Sequence, residues 1–290
     1  MNILILEILI SRLSSGIVPV LIKLTNANAF QIGFVRLTIA WIGFLLITKF
    51  QKTKIKFTKK NILPCLAIGL FFGLHWIFYF LSIKLSTVTI ATIGVSSYGI
   101  FLTLIGNIFF KEKITKTEII ALIVSIAGCL IIIPSYNFSN AITIGFLLGL
   151  LNALFFAITG ALQKHYSKKI PANTRIFSQY FFAFFLFIPP NLGGTWQITH
   201  IDWIYLVILG VLGTLVSHTL WISTVEKLNL KTSATVYYLS TFFSIAAGVI
   251  ILKDPISLKT FIGGTMIIAA SIIVLLKQKP PKEVIKSTEN

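Results

Sequence analysis

Ten long apolar runs, each nearly free of charge and set apart by short polar connections, constrain this chain more than any other feature. They are Ile3–Leu24, Phe30–Thr48, Ile62–Ile83, Thr89–Phe109, Glu118–Pro134, Ile142–Gln163, Arg175–Ile188, Trp203–Val225, Thr232–Leu252 and Leu258–Leu276. A helix advances about 1.5 Å per residue, so about 20 residues cross a hydrocarbon core about 30 Å thick. Lipid offers no hydrogen bonds, and a helix satisfies its own backbone. The expected fold is an all-α membrane protein of ten transmembrane helices. Short connections make sequence neighbours antiparallel and so build a bundle. Charged residues make up 11% of the chain, against about 25% in a soluble domain.

The net charge of +17 would suit a nucleic-acid partner, but the cations do not interleave with exposed aromatics on one face. They sit between apolar runs. With ten spans, one side of the membrane receives every loop and tail cation except Lys84, Lys253 and Lys259. A miscounted span would move each later loop across the membrane and destroy that asymmetry. The positive-inside rule then puts both termini in the cytoplasm, with a bacterial inner membrane as the expected location. Trp196 and Trp203 flank the weakly charged seventh loop, as interfacial aromatics do. The first run has no basic leader and contains Glu7 and Arg12, unlike a cleavable signal peptide. Cys65 and Cys129 both fall inside apolar runs and have no metal-ligand spacing.

The chain also repeats itself at an offset of about 143 residues. Lys84-Leu85-Ser86 returns as Lys227-Leu228-Asn229, and Thr89-Ile90-Ala91-Thr92 as Thr232-Ser233-Ala234-Thr235. Phe110-Lys111-Glu112-Lys113-Ile114-Thr115 returns as Leu252-Lys253-Asp254-Pro255-Ile256-Ser257. The expected units are residues 1–140 and 141–277, with five spans each, and a disordered cytoplasmic tail over 278–290. An odd number of spans starts the second unit on the opposite side. The repeats are then inverted, an arrangement typical of transporters with a site at the midplane.

These residues resemble the EamA-type permeases of the drug/metabolite transporter superfamily. The resemblance rests on the turn Leu252-Lys253-Asp254-Pro255-Ile256, the final span with Gly263-Gly264, the first-half counterpart Phe110-Lys111-Glu112-Lys113-Ile114, and Gly16, Lys23 and Arg36 in the first two spans. The family's turn is of the type Leu-Gly-Glu-Arg. Here its acid is kept, as Glu112 and Asp254, and its glycine is replaced by lysine. The resemblance covers nearly the whole chain and implies a ten-span, two-repeat transporter. It is silent on substrate.

Ionisable side chains inside lipid are costly and mark candidate sites. Arg12 falls near the middle of the first span, where it either meets an anionic group of a substrate or pairs with Glu7. Glu7 is also a candidate for proton coupling. His75 and His218 stand 143 residues apart in the third and eighth spans. Such a pair can line a substrate path and couple protons, or serve as buried packing histidines. Trp76, Tyr79, Tyr98, Trp221, Tyr237 and Tyr238 surround these positions and suit either an apolar pocket with polar handles or plain packing. Arg36 and Gln179 are equivalent in the second and seventh spans, and Gln179 is a candidate for substrate binding. Arg36 lies few enough residues into its span to snorkel, which favours a structural role. Ser96, Ser97, Asn107, Asn152 and Ser240 suit helix-to-helix hydrogen bonding.

The leading expectation is a secondary transporter that moves a small metabolite, an amino acid or related compound, by alternating access. No Gly-x-x-x-x-Gly-Lys-Ser/Thr run is present, so a gradient rather than ATP would drive it. No cofactor or metal is expected, and the partners are a small molecule and the bilayer, with the chain a monomer or homodimer. A proton-coupled exporter of cationic compounds is the nearest alternative. An intramembrane enzyme is a weaker one, since neither His-Glu-x-x-His nor Gly-x-Ser-x-Gly occurs. A channel or scaffold would favour a polar stripe along whole spans rather than polar residues near midspan.

Overall fold

A computed structural model describes residues 3–110, 115–133, 139–192, 195–217, 220 and 230–277, and all regular structure among them is helical. The helices are α1 (Ile3–Leu24), α2 (Ala29–Phe50), α3 (Ile62–Leu85), α4 (Val88–Val95), α5 (Tyr98–Phe110), α6 (Lys116–Ile132), α7 (Ala141–His165), α8 (Ala172–Phe184), α9 (His200–Gly210), α10 (Leu230–Leu252) and α11 (Leu258–Lys277). Short 3-10 turns follow α8 at Phe185–Phe187 and Pro189–Asn191, and a π-helical turn, Val211–Val216, continues α9.

Several starts are written locally. Asn28 with Gln31, Thr115 with Glu118, and Thr199 with Asp202 form reciprocal capping boxes at α2, α6 and α9. Each satisfies orphan N–H groups of the first turn. The Asn140 side chain caps α7, and the Thr87 hydroxyl caps α4.

α2, α3 and α7 are long and apolar enough to cross a membrane on that criterion alone. The outer surface agrees with a lipid solvent. On α6, Ile119, Ile120, Ile123, Ile126 and Leu130 form an exposed stripe, and Phe242, Ile250, Phe261 and Leu63 are exposed elsewhere. An apolar surface of that extent is not left to water. The interior packs α1, α2, α3, α8 and α9 around Ile22, Ile32, Leu37, Phe72, Trp76, Phe80, Tyr180, Phe187, Leu206 and Leu209. α3 lies against α7 and α8, α2 against α8 and α9, α1 against α10, and α7 against α4 and α5. α6 pairs with α11, which also packs on α10 and α5. The α6 and α11 backbones touch through glycine: a Cβ on Gly263 would lie 2.5 Å from the Gly128 carbonyl oxygen.

Three details differ from the sequence reading. The fourth run is not one helix but two, broken at Ser96–Ser97. The break leaves the Ser96 carbonyl free of the helical ladder, and the Tyr238 hydroxyl donates to it at 2.9 Å. A neighbour's polar group can compensate an interrupted helix inside a membrane. The eighth run contains the π turn. Arg36 does not snorkel, and it is 2% exposed.

The loop ends segregate. At one end the Asp202 carboxylate binds the α1–α2 loop, accepting from the Thr25 hydroxyl and the Asn26 N–H. Lys23 Nζ donates to the carbonyls of Ile83, Lys84 and Ser86 at the end of α3, while Lys84 donates to the Thr25 carbonyl. Asp254 accepts from the Thr89 N–H at the start of α4. At the other end the Lys56 N–H donates to Thr174 on α8.

Candidate functional site

A cavity of about 130 Å³ lies among the helices. α1 contributes Arg12, Ser15 and Val18; α2 contributes Arg36; α3 contributes His75 and Tyr79; α4 contributes Thr92 and Val95. Phe156 of α7, Gly213 of the π turn, Ser217 just beyond it, and Ser240, Thr241 and Ser244 of α10 complete the wall. No Asp or Glu is among these lining residues.

Arg36 reaches across to the π turn. Its Nε donates to the Thr214 hydroxyl at 3.0 Å and its Nη2 to the Gly213 carbonyl at 3.2 Å. The Thr214 hydroxyl in turn donates to the Leu209 carbonyl. The guanidinium carbon lies 4.3 Å from the centre of the Trp76 ring and 5.3 Å from that of Phe80. A cation over an indole face is held electrostatically, and more strongly once desolvated. Nη1 of Arg36 has no hydrogen-bond partner among the described residues. Gly213 allows this geometry, because a Cβ there would lie 2.7 Å from Val18 Cγ2.

Arg12 is 4% exposed, and its Nη2 donates to Ser11 Oγ at 2.7 Å. Hydroxyls knit α1 to the second half beside it. Ser11 donates to the Ser217 carbonyl, Ser217 to the Ser11 carbonyl, Ser15 and Ser217 share a hydrogen bond, and Ser244 donates to the Gly16 carbonyl. Pro19 on α1 has no N–H to return to the Ser15 carbonyl, which loosens the helix at the cavity.

His75 is fixed by Asn152 on α7. The Asn152 amide nitrogen lies 2.6 Å from His75 Nδ1 and donates to the His75 carbonyl at 2.7 Å. The second contact sets the amide orientation, because the reversed amide would point oxygen at oxygen. Nδ1 therefore accepts, and the ring proton sits on Nε2. The ring stacks on Phe156 at 4.5 Å and faces Tyr79 at 6.4 Å.

Of the residues singled out from sequence, Arg12, His75 and Tyr79 line the cavity. Trp76 stands behind it under Arg36. Tyr98 packs on the far side of Phe156, with ring centres 4.6 Å apart. Tyr238 serves the Ser96 break, and Gln179 accepts from Gln163 in a cluster with Arg175. Glu7 is half-buried on α1 and is not among the lining residues. His218, Trp221 and the Tyr237 side chain lie outside the described residues. The sequence reading missed Ser15, Thr92, Phe156, Gly213, Ser217, Thr241 and Ser244, and gave Arg36 no place in the cavity. One signal was present: Ser11 and Ser15, and Ser240 and Ser244, are spaced four apart and so share a helix face.

Relatives carry the same reading. A Bacillus subtilis protein described as the uncharacterized transporter YxxF is 25% identical over 95% of this chain and 90% of its own length. An uncharacterized transporter of Archaeoglobus fulgidus is 23% identical over 76% of this chain and 79% of its own. A solved crystal structure shares the fold with a TM-score of 0.64, at 14% identity over 93% of this chain and 96% of that one. Residues 2–133 and 143–276 each match the EamA-like transporter family, one after the other. With a polar cavity inside a lipid-facing helical bundle and both halves matched, the chain belongs to the EamA-like transporter family.

Proposed function

We propose that this protein is a secondary transporter that moves a small metabolite bearing a carboxylate, an amino acid or an organic acid, across the cell membrane by alternating access. The observation that carries the reading is the cavity itself. Two guanidiniums, a fixed histidine and several hydroxyls converge there from helices of both halves of a bundle whose outside is apolar. Buried charge inside a membrane protein is costly and is retained for substrate or ion passage.

Packing supports ten spans in two inverted repeats, with α4 and α5 counted as one span. Moving every span five places along the chain turns the α1–α10 contact into α7–α4, the α3–α8 contact into α9–α2, and leaves α6–α11 on itself. Tyr238 meets Ser96 at a separation of 142, so equivalent positions touch, as they do on a two-fold axis. The segregated loops support the topology. Thr25, Lys84, Asp202 and Asp254 gather at the end assigned outside by the charge asymmetry, and Lys56 and Thr174 at the lysine-rich, cytoplasmic end. The lack of a carboxylate among the described lining residues argues against a cationic-drug substrate.

The test is reconstitution into proteoliposomes with a panel of radiolabelled amino acids, organic acids and cations. Saturable uptake, accelerated by the same compound inside, is expected for at least one carboxylate. Flux that never saturates would indicate a channel, and no flux across the panel would overturn the transporter reading.

A further inference from the structure

We infer that the cavity selects small organic carboxylates that carry no cationic centre, in preference to the amino acids of the same skeleton. The inference rests on the transporter reading and deepens it. Arg36 supplies the first observation. It is 2% exposed, its Nε and Nη2 are engaged, and its Nη1 stands without a hydrogen-bond partner among the described residues. An unsatisfied guanidinium N–H buried from water is costly, and a carboxylate oxygen is its strongest complement. Arg12, on α1, brings a second guanidinium to the same cavity.

The second observation concerns what an ammonium group would meet. The ammonium of a zwitterion is held most strongly by a carboxylate or an aromatic face, and among the described residues no Asp or Glu lines this wall. The polar groups that remain are hydroxyls such as Ser15, Ser240 and Thr241, with His75. Hydroxyls suit hydroxyl and oxo groups of a substrate and do not neutralise an ammonium. Among the described aromatic rings, Trp76 is covered by Arg36, Phe156 is stacked on His75, and Tyr79 faces His75. Two guanidiniums at short range would repel a third cation in a medium of low dielectric. A phosphate monoester, with its second charge, would gain from more cations than these two and is the lesser fit.

The experiment uses the full chain, purified in detergent for thermal-shift binding and reconstituted for uptake. The probes are matched pairs, succinate against L-aspartate and L-lactate against L-alanine, with glycerol 3-phosphate and putrescine as the phosphate and cation arms. At least one organic acid is expected to raise the melting temperature and to be taken up. Its amino counterpart is expected to bind about tenfold or more weakly, the discrimination a site gains when one partner leaves a buried charge uncompensated. Arg36→Gln should abolish the shift, and Arg36→Lys should weaken it despite keeping the charge, because the fork is lost. Arg12→Gln serves as a second variant should Arg36 substitutions fail to fold, and the matched pairs on the unmutated protein decide the matter without any variant. Equal or tighter binding of the amino acid, tightest binding by glycerol 3-phosphate, or binding of putrescine would overturn the inference and leave the transporter reading standing. No uptake of any compound would overturn both.

Discussion

Asp202→Asn changes one atom on a carboxylate that is 1% exposed. Its Oδ1 accepts from Thr25 Oγ1 at 2.9 Å and from the Asn26 N–H at 2.7 Å. Its Oδ2 accepts from Asn26 Nδ2 at 3.2 Å, the Thr199 N–H at 2.7 Å and Thr199 Oγ1 at 2.8 Å. Asparagine offers one acceptor oxygen and one amide group that only donates. Whichever way it turns, the amide faces a backbone N–H, of Asn26 or of Thr199, that cannot reorient. The threonine hydroxyls can rotate to accept, so they recover part of the loss. Two hydrogen bonds to a charged group, at about 1.5–3 kcal/mol each, bound the effect, and a net cost of about 3 kcal/mol is expected after that recovery. The loss falls on the state in which the α1–α2 loop is tied to α9. Thermal unfolding in detergent should show the destabilisation, and hydrogen exchange should show the Asn26 amide losing protection. If the network closes the outer end in one of two transport states, the same energy shifts their ratio by up to about 150-fold. A variant with unchanged melting and a still-protected Asn26 amide would refute the reasoning.

Asn152→Leu keeps the side-chain size but removes the donor that holds His75, so stability should fall by about 1–3 kcal/mol and uptake should show a raised KM. Gly213→Ala forces a Cβ within 2.7 Å of Val18 Cγ2, for which an overpacking cost of about 1–3 kcal/mol is expected. Val18→Ala in the same chain should restore most of the lost melting temperature, and no rescue would contradict the contact. Gly263→Ala should destabilise more than Gly264→Ala. The first meets the Gly128 backbone oxygen at 2.5 Å, and the second meets the movable tip of Ile93 at 2.8 Å.

The helical class and the family were legible because lipid simplifies the problem: long apolar runs with few charges read as helices in a membrane. The capping boxes at Asn28, Thr115 and Thr199 mark helix starts by local chemistry alone. The break at Ser96 was not legible, since hydropathy runs on without interruption and the group that stabilises the break, Tyr238, lies 142 residues away. Arg36 was misjudged for a related reason. Counting residues from the helix start gives depth along α2 but not what stands opposite, and the π turn with Gly213 and Thr214 exists only in three dimensions. Arg12 and His75 were visible because a charge or an imidazole in an apolar run stands out. The cavity serines were not, because a hydroxyl in a span has the same appearance whether it joins two helices or faces a substrate.

Two-sided access to the cavity can be measured with a single cysteine at Thr241, a lining position, in a chain whose Cys65 and Cys129 are replaced. A small impermeant thiol reagent is applied to right-side-out and to inverted vesicles. Alternating access predicts modification from both faces, protected in each case by a transported compound. It also predicts that Asp202→Asn raises the outer rate while lowering the inner one. Modification from one face alone, or an outer rate that rises with no fall on the inner side, would contradict a cavity exchanged between two closed ends.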